Sequence, residues 1–118
     1  MFRITKEFHF SASHQLSRLP ATHQCARLHG HNYIVVVELA ASALDEFSFV
    51  RDYDELSVLK RYIDDNFDHR HLNDVLNHEA VTAEYLAKHF YEWCKAKLPE
   101  TTAVRVSETP KTWAEYRP

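Results

Sequence analysis

The run Tyr33-Ile34-Val35-Val36-Val37-Glu38-Leu39 constrains the fold of this chain more than any other segment. It is rich in β-branched residues and apolar at nearly every position, which predicts a strand buried on most of both faces. Such a strand needs neighbours. Residues 2–12 alternate loosely (Phe2, Ile4, then Phe8, Phe10, Ala12) and read as a half-buried strand. Residues 15–28 have no period and contain Pro20, so they read as a long loop, the kind that is often functional.

Asp52, with Glu55 three residues on, predicts a helix start with an approximate capping box. The stripe Leu56, Leu59, Ile63 and Phe67 then lies along one helical face. Asp68–Glu79 is polar and reads as a loop. Thr82 suits the N-cap of a second helix with the stripe Leu86, Phe90, Trp93 and Cys94, which Pro99 ends. Residues 102–108 alternate again, and Thr112–Tyr116 is expected to pair with them across a turn at Pro110. The order β-β-α-α-β-β predicts an α+β fold, an antiparallel sheet with two helices on one face. No repeat or linker divides residues 1–118, so a single domain is expected. A sheet of this kind leaves long edges, for which pairing with another subunit is one remedy.

Composition narrows the function. Fourteen basic against seventeen acidic residues give a net charge of −3, with no basic excess to serve as a nucleic-acid footprint. The longest purely apolar run, Tyr33–Val37, is far shorter than the roughly 20 residues of a membrane helix. The opening Met1-Phe2-Arg3-Ile4-Thr5-Lys6-Glu7 carries charges where a signal peptide needs apolar residues. With only Cys25 and Cys94, the expectation is a cytoplasmic protein with two free thiols.

Nine histidines are many for 118 residues, and five of them (His9, His14, His23, His29, His31) precede residue 32. His29-Gly30-His31 puts two imidazoles on one side of an extended segment, around the chain's only glycine. A neighbouring strand could bring His14 alongside. Three imidazole nitrogens with a vacant fourth position form a catalytic zinc site; hydrogen-bonded surface histidines are the other reading. Cys25, four residues before His29, is either an activated thiol or a small buried hydrophobe. Cys94 reads as core. Asp68-His69-Arg70-His71 is either a proton-transfer pair or a solvated loop. Glu108 is an acid in a strand pattern, and spacing alone does not assign it a role.

Together these residues resemble the 6-pyruvoyl-tetrahydropterin synthase / 6-carboxy-tetrahydropterin synthase family. The resemblance runs nearly end to end. It rests on Phe10-Ser11-Ala12-Ser13-His14, on Cys25-Ala26-Arg27-Leu28-His29-Gly30-His31-Asn32-Tyr33 and on Val50-Arg51-Asp52-Tyr53-Asp54-Glu55-Leu56. Phe67-Asp68-His69-Arg70-His71-Leu72-Asn73 and Ser107-Glu108-Thr109-Pro110, with Ala114 and Tyr116, extend it. It implies the T-fold, or tunnelling fold, of β-β-α-α-β-β subunits. It implies that His14, His29 and His31 bind zinc and that Cys25 is the proton-abstracting base, working with Asp68 and His69; His71 is the alternative acid. Glu108 would anchor a pterin, with Thr82 and Ala83 in the pterin pocket. The implied substrate is 7,8-dihydroneopterin triphosphate.

Three residues separate the cysteine from His-Gly-His, which resembles the queuosine-pathway type that makes 6-carboxy-5,6,7,8-tetrahydropterin, acetaldehyde and triphosphate. The pyruvoyl-forming type is the alternative, followed by a non-catalytic zinc or pterin-binding module. Family members are homohexamers of two stacked trimers with sites between subunits.

Overall fold

A computed structural model describes residues 1–118. The chain runs β1 (Phe2–His14), β2 (His29–Ala41), α1 (Ser57–Asn66), β3 (Arg70–His71), α2 (Leu72–Val75), α3 (Ala83–Lys97), β4 (Thr101–Thr109) and β5 (Thr112–Tyr116). The strands form one sheet in the order β3-β1-β2-β4-β5. Its frame is the hairpin of β1 and β2, paired from Phe2↔Ala41 to His14↔His29. Two 13-residue strands make the molecule long, 55 × 25 × 23 Å.

Flanked by β1 and β4, β2 is the central strand, and its sequence is apolar for that reason. Tyr33, Val35, Val37 and Leu39 join the core under the helices. Val36 and Glu38 point to the other face and are buried too. A buried carboxylate needs partners; Arg3 reaches Glu38 at 2.6 Å, and Arg117 also pairs with it.

The helices cover one face. Leu56, Leu59, Ile63 and Phe67 are all buried, as their spacing predicts. From α3, Leu86, Phe90 and Cys94 enter the core, where the Phe90 ring lies 4.8 Å from Phe67 and 6.2 Å from Phe10. Trp93 differs from its expected core role. It is only partly buried and stacks on Tyr62 at 4.1 Å, covering the rim between α1 and α3.

Three expectations need correction. Asp52 does cap, accepting the Asp54 amide at 2.9 Å, but it caps a 3₁₀ turn, Tyr53–Leu56, and α1 starts at Ser57. No capping box closes because the Glu55 carboxylate is held by Arg51. The polar stretch after α1 is not all loop: it contains β3 and the single turn α2. Since β3 runs parallel to β1, through Ala12↔Arg70 and Ser13↔His71, the sheet is mixed rather than wholly antiparallel. A short return along the far edge of β1 allows only two residues to pair there.

Candidate metal centre

The hairpin register brings the three histidines together. His14 is directly opposite His29, and His31 lies two residues further along the same face, diagonal to His14. The ring centroids are 4.5 Å (His14–His29), 5.1 Å (His14–His31) and 4.9 Å (His29–His31) apart. One ligand nitrogen from each falls within 4.8 Å of the others. Gly30 eases a close approach and has no unusual backbone angle: a Cβ there would sit 3.3 Å from the Ala12 carbonyl oxygen, which would have to give by a few tenths of an ångström.

Hydrogen bonding settles the tautomers. His14 Nδ1 donates to the Val81 carbonyl and His29 Nδ1 to the Arg27 carbonyl, each at 2.7 Å. A carbonyl only accepts, so each Nδ1 carries the proton and each neutral Nε2 keeps its lone pair. Those two Nε2 atoms face each other at 2.9 Å. His31 Nε2 is buried without a hydrogen-bond partner. Burial holds His14 and His31 below the ordinary imidazole value, which favours their neutral forms. The two facing lone pairs of His14 and His29 repel one another unless a cation lies between them, and the unpartnered His31 Nε2 is a third available donor, so the donor set fits a metal ion. The backbone carbonyls behind the rings are the usual orienting partners of metal-bound imidazoles.

Glu108 borders this centre, with its carboxylate 3.7 Å from His31 Nε2. Because Ile34 pairs with Ser107, Glu108 and Tyr33 fall side by side on the helix face. The β4–β5 register shifts between Val106 and Thr109, a bulge that ends regular pairing at Glu108. The Tyr33 hydroxyl is buried and unpartnered, and burial together with the Glu108 carboxylate raises its pKa well above the usual phenol range.

The start of α3 serves two sides of the centre. Val81 supplies the carbonyl for His14, and Thr82 caps the helix by accepting the Tyr85 amide at 3.1 Å. Ala83 shares a cleft of about 270 Å³ with Glu108, Trp113 and Ala114.

The remaining expected residues lie apart. Asp68 Oδ1 accepts the Ser11 amide and faces His69 Nδ1, both at 3.0 Å. These contacts, the Ser11 amide first, hold the Asp68 carboxyl below its ordinary value. His69 has φ 60° and its side chain is 82% exposed. His71, the alternative acid, has Ser13 Oγ as its partner at 2.9 Å, so the Asp–His pair is Asp68–His69. Cys25 is half-buried on a 3₁₀ turn (Gln24–Ala26) before β2 and does not belong to the close ligand group. Sequence reading missed the Val81 and Arg27 carbonyls and the Tyr33 hydroxyl. Only Tyr33 left a signal, two residues beyond His31 on the same face.

A mixed sheet with helices on one face, and three imidazoles at the loop end of its longest hairpin, defines an α+β protein with a candidate metal centre. The chain belongs to the 6-pyruvoyl tetrahydropterin synthase family, which it matches over residues 3–118. It is 35% identical to the 6-carboxy-5,6,7,8-tetrahydropterin synthase of Bacillus subtilis, covering 99% of this chain and 86% of the relative. Identity to the Synechocystis protein of the same name is 37%, over 98% and 93%. Its structure is similar to that of Caenorhabditis elegans 6-pyruvoyl tetrahydropterin synthase, with a TM-score of 0.86 and 25% identity over 99% of this chain and 95% of that one. The fold is the expected T-fold. No helix is long and apolar enough to cross a membrane.

Proposed function

We propose that this protein is a zinc-dependent lyase of the 6-carboxy-tetrahydropterin synthase type. In this reading 7,8-dihydroneopterin triphosphate and one water give 6-carboxy-5,6,7,8-tetrahydropterin, acetaldehyde and triphosphate. The relatives named for that product support it, as does the three-residue interval between Cys25 and His29. The observation that carries it is the set of three converging imidazole nitrogens with Glu108 at its border.

His14, His29 and His31 would hold the zinc, which when bound acts as a Lewis acid that lowers the pKa of the substrate's side-chain hydroxyls. Glu108 accepts two parallel hydrogen bonds from the 2-amino and ring N–H edge of the pterin. Ala83 forms a wall of the cleft that Glu108 borders, and Thr82 contributes beside it. Cys25 removes a proton from the side chain. Asp68, held ionised by the Ser11 amide, orients His69 for proton transfer.

Glu108 and Asp68–His69 lie toward opposite edges of the sheet, with β1 and β2 between them. A homohexamer of two stacked trimers lets a neighbour's Asp68–His69 complete each site. The outer edge of β1, paired with β3 only at Ala12 and Ser13, supports such an assembly. We read the enzyme as cytoplasmic, with unpaired Cys25 and Cys94, acting in queuosine or other 7-deazapurine synthesis.

Likeness to the nematode enzyme favours one alternative, triphosphate elimination to 6-pyruvoyl-tetrahydropterin. The deciding experiment incubates metal-loaded protein with 7,8-dihydroneopterin triphosphate and identifies the products by mass. Acetaldehyde with 6-carboxy-tetrahydropterin supports the proposal; a pyruvoyl product, or none, overturns it. Glu108→Gln keeps the side-chain volume but loses one acceptor. It is expected to raise the dissociation constant for dihydroneopterin about 30-fold, equivalent to about 2 kcal/mol for breaking a charged pair, while metal content stays unchanged. Isothermal titration checks both binding and stoichiometry.

A further inference from the structure

We infer that the cleft lined by the ends of β1, β2 and β3 is a polyphosphate site, in which Arg70 and His71 hold the anion; its assignment to the substrate's triphosphate rests on the pterin reading above. The cleft has a volume of about 490 Å³, and none of its nine lining residues is acidic. That is notable in a chain whose acids outnumber its bases. Its wall carries His69, Arg70 and His71, and its floor offers the hydroxyls of Ser11 and Ser13 and the Asn32 amide. The His31 ring lies with His14 and His29 on the helix face, whereas Ser11, Ser13 and Asn32 point to the other face, so an anion here is held beside His69, for the neighbour's site that Asp68–His69 completes in the reading above.

Arg70 stands apart from most of the arginines. Arg3, Arg18, Arg51 and Arg117 are ion-paired. Arg61 donates to Ser57, and Arg105 lies over the Trp113 ring. Arg70 makes no ion pair or side-chain hydrogen bond within the chain, although its backbone is fixed by the pairing with Ala12. An unpaired planar guanidinium on a fixed backbone offers two parallel N–H groups to a phosphate. His71 is equally set. Ser13 Oγ engages its Nδ1 at 2.9 Å and leaves Nε2 free. The left-handed turn at His69, with its amide on the Ser11 carbonyl at 2.6 Å, seats the triplet along the edge of β1.

The test titrates the full-length protein with inorganic tripolyphosphate and, separately, with phosphate-free 7,8-dihydroneopterin. Arg70→Ala is expected to weaken tripolyphosphate binding about tenfold or more and to flatten its salt dependence, with dihydroneopterin affinity unchanged. Arg70→Lys recovers part of the loss, and His71→Ala gives a smaller loss of the same kind. If both alanine variants bind tripolyphosphate like the wild type while dihydroneopterin still binds, the cleft assignment is overturned and the pterin reading stands. If tripolyphosphate binding depends on Arg70 but dihydroneopterin does not bind, the polyphosphate site stands and the pterin reading falls.

Discussion

Alanine at His29 is expected to lower metal affinity by more than roughly 100-fold, beyond the 10–100-fold typical when only an orienting partner is lost. Of the three imidazoles, His29 has its Nε2 opposed to that of His14 at 2.9 Å and its Nδ1 fixed by the Arg27 carbonyl. Removing it leaves two donors and no enclosed position. In the metal-free state the effect on folding should be small or slightly stabilising, because the same substitution relieves a lone-pair repulsion. A chelator-competition titration and thermal unfolding with and without metal measure the two effects. A variant that keeps wild-type metal affinity would remove His29 from the centre.

The same cluster sets a pH dependence. Folded His14 and His31 take up protons less readily than in an unfolded chain, where an imidazole titrates near about 6.5. A depressed folded pKa means that the unfolded state binds more protons as acid is added. Stability is therefore fully present above about pH 6.5 and falls as pH drops toward the lowered values. Metal retention follows the same direction, since the ligands must be deprotonated. Metal-free protein should show a lower Tm at pH 5.5 than at pH 7.5.

Cys25→Ala is expected to lower kcat by about 10²–10⁴-fold, the range for a positioned acid–base group, without loss of metal or assembly. The turn that carries Cys25 is held by backbone groups, with its carbonyl on the Leu16 amide at 3.1 Å and its amide on His23 Nδ1 at 3.0 Å. Alanine keeps both. Cys94 cannot take over the role, because it is fully buried and burial pushes its thiol up to about 12. Iodoacetamide on the native protein should therefore modify Cys25 alone and abolish turnover in step. Full turnover in Cys25→Ala would end the thiol's part in the chemistry.

Much of the scaffold was legible in local patterns. The valine-rich run marked the central strand, and the three- and four-residue spacings marked the buried faces of α1 and α3. The misreadings have local physical causes. Asp52 and Glu55 look like a capping box, yet Arg51 claims the glutamate and the chain takes a 3₁₀ turn first. Arg70–His71 carries no strand signature, because two residues borrowed onto an edge need none. Trp93 obeyed its helical spacing but found a Tyr62 ring at the rim instead of a gap in the core.

From the sequence alone it followed that His29 and His31 share a face, since a strand alternates every second residue. The elements on either side followed in the same way. Only the tertiary structure decided that His14 stands opposite His29, that a carbonyl 67 residues away sets the His14 tautomer, and that Glu108 arrives beside His31 from the adjacent strand β4. Alternation along a strand is a property of neighbouring residues. Register between strands is chosen by burying the whole apolar face at once, and a one-residue slip would turn every histidine of the moved strand away from the others.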